Sequence, residues 1–367
     1  MTVAAPARLT VRAIRAVAVE VPMRHVLGTS QAAVRAAPLL LIDLETEEGV
    51  TGRAYLFCYV PAAAAAIAAM LAEIERATRG ERVAPVDLWK KLTRRFTLIG
   101  VQGVVRMAMA GFDVACWDAL AIAMGQPLAV LLGGTPRPVR AYNSNGLGLM
   151  DAHALADEAG ELVQGGFEGV KLRLGYPTLA EDIAALRAVR ARVGEGIRIM
   201  VDYNQALSVA EALARGRALD AEGIAWLEEP IRHDDYAGGA RLARELSTPV
   251  QIGENFSLAY GMEQALEAGA CDLVMPDLER IGGVTGWQRA AALAAARGIE
   301  MSSHLFPEVS SHLLAVTPTA HWLEYVDWAA PILAQPLRIV DGMAIPSECP
   351  GNGLAWNEEA VARYRMA

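Results

Sequence analysis

Six ionisable side chains close six successive β-like runs in the second half of the chain. Each run is a short stretch rich in Val, Ile, Leu or Met, and neighbouring members of the set lie 20 to 27 residues apart. The six are Asp202, Glu228, Glu254, Asp277, His304 and Glu324. This interval accommodates one strand, one helix and their connecting loops. Because the carboxyl ends of successive parallel strands meet at one mouth of a barrel, we expect all six groups to surround one pocket.

The first three members of the set indicate a metal centre. A single acid at the end of a strand commonly caps a helix or forms a surface ion pair, but six in phase on consecutive strands are not explained in that way. Carboxylates within a few ångströms of one another raise each other's pKa unless a cation joins them. Oxygen ligands from Asp202, Glu228 and Glu254 suit a hard divalent ion with open positions. We therefore predict one bound Mg²⁺.

Two cations lie on the strand that precedes these acids. In EGVKLRLGYP, residues 168–177, side chains alternate, so the aliphatic residues point one way while Lys171 and Arg173 point the other. The run ends in Gly and Pro, which close a strand. We expect both cations to face the acids across the pocket.

Strands and helices alternate throughout residues 133–334. Eight β-like runs, from VRAYN to HWLEY, are separated by segments of helical composition such as AEDIAALRAVRARVG. This alternation predicts a parallel (β/α) barrel. Residues 1–132 contain a hairpin pattern at 39–57 and then helical sequence, which predicts an α+β domain bounded by GGTPRPVR. We expect residues 335–367 to pack back on that first domain.

Composition limits the classes of partner. The net charge is −9 and the pI is about 5.3, which argues against nucleic acid and anionic membranes as partners. The four cysteines are far apart and lack the spacing of metal ligands, so we expect free thiols in a reducing compartment. The Ala-rich run near residues 61–71 is too short to span a bilayer, and we see no signal-peptide pattern. We expect a cytoplasmic protein.

A family resemblance rests on nine runs that extend from the first domain to the last strand. They are AGFDVACWDAL, KLRLGYP, VDYNQ, WLEEP, QIGEN, MPD, IGGVTGW, SSHLF and PTAHWLE. In this ordered set the chain resembles the enolase superfamily and, within it, the mandelate racemase group. The resemblance implies a modified (β/α)₇β barrel of the TIM type under an α+β capping domain. It also implies that the three carboxylates named above are the Mg²⁺ ligands.

The same resemblance implies roles around a small-molecule carboxylate substrate. Asp277 would orient His304, which would act as the general base. Lys171 would lie beside the substrate carboxylate, and Glu324 would donate a hydrogen bond to it. A carboxyl group donates only when it is protonated, so we expect burial to raise the pKa of Glu324. Removal of the α-proton would give an enolate stabilised by the metal ion and these donors.

Further substrate contacts are expected from two sources. The resemblance places Asn204 and Ser144 near the polar groups of the substrate. The loops of the first domain would close over the barrel mouth and supply an apolar lid that favours an aromatic or short hydrophobic acid. The lid residues are Val26, Leu27, Phe57 and Tyr59. Symmetric oligomers are common for this kind of barrel, so we also expect a homo-oligomer.

Arg173 departs from the family pattern at a catalytic position. In the mandelate racemase group the resemblance places a lysine here, as a second base on the face opposite the histidine. Lowering the pKa of lysine from about 10.4 to about 7 costs about 4.6 kcal/mol, whereas the same change for arginine costs roughly 8 kcal/mol. We therefore expect Arg173 to be a fixed cation that clamps a carboxylate or another polar group, with an ion pair to a strand-end acid as the alternative.

Three functions remain open from the sequence. Similarity over the whole chain favours a racemase or epimerase acting on a 2-hydroxy carboxylate. The arginine favours the alternative, a dehydratase of acid sugars or other hydroxy acids that uses His304 as its single base. A barrel that binds a ligand without turnover is the third possibility.

Overall fold

The structure is a computed structural model that describes residues 8–30 and 33–366. Within these residues the first domain contains a three-stranded antiparallel sheet in the order β1, β2, β3. Its strands are β1 (Val11–Gly28), β2 (Ala33–Thr46) and β3 (Thr51–Phe57). The turn between β2 and β3 contains Gly49 at a φ of 81°, a backbone conformation that glycine adopts without strain. This is the hairpin predicted for residues 39–57.

Four helices complete the first domain. They are α1 (Pro61–Thr78), α2 (Pro85–Arg95), α3 (Gly103–Ala123) and the short α4 (Leu128–Leu131), of which α1 and α3 pack against the sheet. α3 is apolar around most of its circumference, and it packs against β3 and α1 on one side and against the second domain on the other. It therefore lies buried between the two domains.

The second domain is a barrel of parallel strands. Its strands are β4 (Val139–Asn143), β5 (Gly169–Arg173), β6 (Arg198–Asp202), β7 (Leu227–Glu228), β8 (Val250–Ile252), β9 (Leu273–Val274) and β10 (Leu323–Tyr325). Neighbours from β4 to β9 pair in chain order, and β10 pairs with β4. The segment around Met301 fills the remaining position through single bridges to Val274 and Ala320. The predicted capped barrel is confirmed.

Helices surround the barrel. They are α5 (Ala152–Leu162), α6 (Leu179–Val193), α7 (Val209–Leu219), α8 (Tyr236–Glu245), α9 (Leu258–Ala268), α10 (Leu278–Ile281), α11 (Gly283–Arg297) and α12 (Pro307–Ala315). Local sequence explains where several begin. α6 and α7 each start with a capping box, formed by Thr178 with Glu181 and by Ser208 with Glu211. No helix among the described residues has the length and apolar content needed to span a membrane.

The C-terminal segment contacts both domains. It forms β11 (Arg338–Val340), β12 (Met343–Ile345) and α13 (Glu358–Tyr364), and β12 pairs antiparallel with β4. The indole N–H of Trp356 donates to Asp43 Oδ1 at 2.7 Å, and Arg365 bridges to Val19. Domain limits at residues 132 and 334 stay predictions, although both positions lie in loops between helices and strands.

Buried polar contacts join the capping domain to the barrel. Asp113 on α3 accepts hydrogen bonds from the N–H (2.9 Å) and the hydroxyl (2.6 Å) of Thr285 on α11. Burial raises the pKa of Asp113 to about 7 despite these bonds. Near the barrel mouth, Tyr55 donates to Glu308 at 2.6 Å and the Phe57 N–H donates to Glu279 at 3.2 Å. These contacts fix the end of β3 over the carboxyl ends of the barrel strands.

The close approach of β3 to α3 generates a stability prediction. A Cβ atom at Gly52 would overlap Ala115 O and lie 2.7 Å from Ala119 N, so Gly52→Ala forces the sheet and helix apart. We expect a loss of about 1–3 kcal/mol in the free energy of unfolding, measured from urea midpoints. The matched control is Gly196→Ala, where a Cβ meets nothing within 4 Å and stability should hardly change. Equal midpoints for the two variants would contradict this packing.

Candidate active site

Three acids converge at the carboxyl ends of adjacent strands. Asp202 ends β6, Glu228 ends β7, and Glu254 follows β8 by two residues. Each offers a carboxylate oxygen, and these atoms all lie within 4.8 Å of one another. Asp202 and Glu228 are buried and Glu254 is half-buried. Parallel pairing in register brings the strand ends together, as the spacing of the sequence predicted.

The electrostatics of the three acids fit a divalent cation. Burial raises the pKa of Glu228 to about 8, and the charges of Asp202 and Glu324 add to this effect while Lys171 opposes it. Burial also raises the pKa of Asp202. Ionised carboxylates this close are unfavourable without a compensating positive charge, and all-oxygen ligands suit Mg²⁺. The residues present therefore fit the predicted metal ion.

Each of the three carboxylates is also oriented by a neighbouring N–H group. Asn204 Nδ2 donates to Asp202 Oδ2 at 3.0 Å, Trp226 Nε1 donates to Glu228 Oε2 at 3.0 Å, and Asn255 Nδ2 donates to Glu254 Oε1 at 3.2 Å. Donors of this kind hold ligand oxygens in place before a metal binds.

Lys171 lies at the centre of the acidic cluster. It is 2 % exposed, and its Nζ is 2.8 Å from Glu228 Oε1, 2.7 Å from Glu324 Oε1 and 3.4 Å from Asp202 Oδ2. Burial alone would lower the pKa of Lys171, but these carboxylates outweigh burial and raise it. The lysine is therefore a firmly protonated cation.

Glu324 has surroundings that stabilise its ionised form. Its carboxylate accepts hydrogen bonds from Ser144 Oγ (2.7 Å) and the Leu305 N–H (2.9 Å), and it contacts Lys171. Burial raises the pKa of Glu324, but Lys171 and His304 outweigh burial and bring it well below its ordinary value. The expectation that burial raises this pKa is wrong, because it omitted the charged partners of Glu324. The predicted hydrogen bond from Glu324 to the substrate carboxylate stays a prediction.

His304 and Asp277 form a tight pair. His304 Nδ1 is 2.6 Å from Asp277 Oδ2, and the other oxygen of Asp277 accepts the N–H groups of Glu279 and Arg280 at the start of α10. His304 Nε2 is left on the side of the acids, 3.3 Å from Glu254 Oε2. Burial lowers the pKa of His304, but Glu254, Glu324 and Asp277 outweigh it and raise the pKa to about 9.

Arg173 is bonded to neutral oxygen atoms. Its NH1 donates to the main-chain carbonyls of Ser144 (2.8 Å) and Gly146 (2.7 Å), and its NH2 donates to Ser144 Oγ (2.9 Å). The residue is 3 % exposed. The guanidinium is thus a fixed cation that clamps the loop after β4. The alternative prediction was an ion pair with a strand-end acid, whereas these hydrogen bonds all end on neutral oxygens.

A cavity of about 310 Å³ opens above these groups. One part of its wall is apolar and comes mainly from the capping domain and the loop after β10. It includes Leu27, Val34, Phe57 and Trp328. The other part is polar and carries the site side chains. It comprises Lys171, Arg173, Asp202, Asn204, Gln205, Glu254, Asn255, Arg280, His304 and Glu324.

Two predicted substrate contacts differ from the structure. Of the predicted lid residues Val26 and Leu27, only Leu27 lines the cavity, because neighbouring side chains of a strand point to opposite faces. Ser144 is fully buried and lies outside the cavity wall, where its hydroxyl links Arg173 to Glu324. The predicted residues Asn204 and Tyr59 do line the cavity.

Sequence reasoning missed part of the polar wall. Gln205, Asn255 and Arg280 each lie next to a residue that was singled out or one turn beyond it. Gln205 Oε1 accepts the N–H of His233 at 3.0 Å, which orients the amide. Position next to a strand-end acid was the available signal, since loop residues at that mouth share the pocket.

Family models match nearly the whole chain. Residues 11–133 match the model described as "Mandelate racemase / muconate lactonizing enzyme, N-terminal domain", and residues 154–360 match the one described as "Enolase C-terminal domain-like". Capped barrels with acids at their strand ends define this class of protein. The chain belongs to the mandelate racemase/muconate lactonizing enzyme group of the enolase superfamily.

Relatives with names and solved structures narrow the class. L-talarate/galactarate dehydratase of Salmonella typhimurium is 32% identical over 91% of this chain and 84% of its own, and 3,6-anhydro-alpha-L-galactonate cycloisomerase of Streptomyces coelicolor is 30% identical over 89% and 91%. An enolase from the alphaproteobacterium BAL199 with bound Mg has a TM-score of 0.96 and 47% identity over 98% of this chain and 100% of its own. A Bradyrhizobium enolase with magnesium and mandelic acid has a TM-score of 0.94 and 41% identity over 98% and 99%. The present chain is therefore an enzyme, an isomerase or a hydro-lyase.

The acidic cluster predicts stabilisation by a divalent ion. Mg²⁺ at about one hundred times its dissociation constant should add about 2.7 kcal/mol to the free energy of unfolding, because it binds the folded state. Thermal unfolding with Mg²⁺ and with EDTA measures this difference. Glu254→Gln should lose most of the effect, whereas Glu267→Gln at an exposed position of α9 should retain it. A Mg²⁺ response that survives in Glu254→Gln would place the ion elsewhere.

Proposed function

We propose that this protein is a Mg²⁺-dependent hydro-lyase that removes the α-proton of a hydroxy carboxylate and expels water from the adjacent carbon. The observation that carries the proposal is the immobilised Arg173. Three hydrogen bonds to Ser144 and Gly146 hold its guanidinium, and arginine keeps its proton in proteins. Racemisation requires a second base on the face opposite His304. Arg173 therefore does not supply that base.

His304 is the base that fits the geometry. Asp277 holds Nδ1 and Nε2 faces the cavity, where the neutral ring would receive the α-proton. Mg²⁺ bound to Glu254 would offset the negative charge that raises the pKa of His304 and so favour this neutral form. Asp277 also stabilises the imidazolium that forms, as a carboxylate does in other base pairs of this type. Its own orientation is fixed by two N–H groups of α10.

The acidic cluster supplies the place where the substrate carboxylate binds. Mg²⁺ held by Asp202, Glu228 and Glu254 would act as a Lewis acid for the negative charge that develops on the carboxylate. The ammonium of Lys171 lies beside these ligands and would contact the same charge. Ionised Glu324 positions Lys171 by direct contact instead of donating to the substrate.

Elimination of water also needs a group that protonates the departing hydroxyl, on the face of the substrate from which the α-proton was removed. The C–H bond breaks as His304 takes the proton, and the C–O bond of the neighbouring hydroxyl breaks as the imidazolium returns that proton to the departing oxygen. Water leaves, a carbon–carbon double bond forms, and the resulting enol becomes a 2-keto-3-deoxy acid. One imidazole serves both transfers, so no residue on the opposite face is needed. Relatives named as dehydratases support this reading.

Racemisation of an aromatic 2-hydroxy acid is the second candidate. The apolar wall formed by Leu27, Val34, Phe57 and Trp328 suits an aromatic ring better than a long polyol. The Bradyrhizobium enolase, 41% identical, holds mandelic acid. Two observations oppose racemisation. Arg173 is held by hydrogen bonds as a cation, and the carboxylates around Lys171 keep that lysine protonated, so neither residue supplies a second base.

Proton NMR in D₂O with Mg²⁺ separates the candidates. The panel contains aromatic 2-hydroxy acids, aromatic 2,3-dihydroxy acids, aldonic acids and aldaric acids. We expect one configuration at the α-carbon to be converted to a 2-keto-3-deoxy product that carries deuterium at C3. Exchange with interconversion of enantiomers would show a racemase and refute the single-base proposal. Binding of acids with neither exchange nor turnover would show a binding protein.

Two substitutions test the assigned roles. His304→Asn should lower kcat by about 10³-fold because it removes the base, with metal binding retained. Arg173→Lys keeps the charge and loses the fork that holds two carbonyls, so we expect kcat/KM to fall by about ten- to a hundredfold. Steady-state kinetics on the substrate found by NMR measures both. Wild-type activity in Arg173→Lys would contradict the clamp.

A further inference from the structure

α10 connects the base, the capping domain and a metal-ligand loop through consecutive residues. Asp277, the N-cap of α10, orients His304. Glu279 accepts the N–H of Phe57 at the end of β3. Arg280, the next residue, reaches both the capping domain and the loop after β8. Asp277 and His304 act in the proposed proton transfer, whereas Arg280 takes no part in that transfer.

Arg280 orients a metal-ligand carboxylate through Asn255. Its NH1 donates to the Asn255 side-chain oxygen and, at 3.2 Å, to the main-chain carbonyl of Glu254. With its oxygen occupied in this way, Asn255 turns its Nδ2 toward Glu254 Oε1 (3.2 Å) and Glu229 Oε2 (2.8 Å). An amide has one acceptor end and one donor end, so the Arg280 contact determines which end meets the ligand.

The other face of Arg280 contacts the capping domain. The guanidinium carbon lies 4.8 Å from the centre of the Tyr59 ring, within the range of a cation–π contact. Tyr59 has a φ of 60°, which tyrosine rarely adopts, and its ring centre is 4.5 Å from that of Phe57. A residue held in an uncommon conformation beside a cavity is constrained by its surroundings. Tyr59 thus rests on Arg280 at the rim of the cavity.

We propose that Arg280 is a positioning residue that couples the seating of Tyr59 from the capping domain to the orientation of Glu254 as a metal ligand. When Tyr59 rests on Arg280, the guanidinium is held in the pose that engages both the Asn255 oxygen and the Glu254 carbonyl. The Glu254 carboxylate then meets the ion in its binding orientation. This inference rests on the metal site of the proposed function.

The test measures metal affinity, which does not depend on turnover. Mn²⁺ is titrated into metal-free protein, and free Mn²⁺ is followed by its electron paramagnetic resonance signal. Arg280→Met should raise the dissociation constant about tenfold, as loss of a group that orients a ligand does. Tyr59→Leu should raise it about two- to fivefold, and Tyr59→Phe, which keeps the ring, should leave it unchanged.

A double variant tests the coupling itself. Because Tyr59 acts through Arg280, Tyr59→Leu should add nothing to the effect of Arg280→Met. Full additivity, or an unchanged dissociation constant in Tyr59→Leu, would overturn the proposal. The matched control is Arg106→Met, since the Arg106 guanidinium donates to Ser257 Oγ at 2.7 Å and not to Asn255; it should bind Mn²⁺ as the wild type does. Thermal unfolding of each variant checks that it is folded.

Failure of this inference can be told from failure of the proposed function. Wild-type protein that binds no Mn²⁺ would refute the metal site and with it the proposed function. Wild-type protein that binds Mn²⁺, with an Arg280→Met variant that binds it equally well, would refute only the coupling. A kinetic readout gives a second check: Tyr59→Leu should raise KM more than it lowers kcat, because the capping contact acts on binding.

Discussion

A group of buried carboxylates around one lysine is the constraint on which the site depends. Asp202, Glu228 and Glu324 contact Lys171, Glu254 lies beside the first two, and one ammonium cannot neutralise four acids. Buried charges are tolerated when they are paired and hydrogen-bonded. The barrel forces these acids together because its parallel strands end at one mouth. A divalent cation therefore completes the structure as well as the chemistry.

The clamp at Arg173 sets the second constraint. Its hydrogen bonds hold the loop after β4 and, through Ser144, reach Glu324. A base at position 173 would have to give up a proton. The guanidinium of Arg173 instead keeps its charge and holds Ser144, whose hydroxyl donates to Glu324, the carboxylate that contacts Lys171. In the proposed function, the same side chain would both stabilise the site and restrict proton transfer to one face. A fold shared by isomerases and hydro-lyases would then be specialised by a side chain and not by its architecture.

Much of this arrangement could be predicted from the sequence. The interval between strand-end acids indicated the barrel and brought the metal ligands together, since one strand and one helix recur at a nearly constant length. What failed depended on three-dimensional contacts. The pKa of Glu324 follows from Lys171, 153 residues earlier in the chain. Whether Val26 or Leu27 faces the cavity depends on strand register, and the contacts of Arg280 join segments that no local pattern relates.

We infer that one divalent ion binds among the carboxylates of Asp202, Glu228 and Glu254. Anomalous diffraction from crystals grown with Mn²⁺ tests it most directly. We expect one strong anomalous peak in contact with all three carboxylates and with Lys171 displaced to its side. A peak elsewhere, or crystals that take up Mn²⁺ with no peak among the three carboxylates and with Lys171 still in contact with Asp202 and Glu228, would contradict this inference.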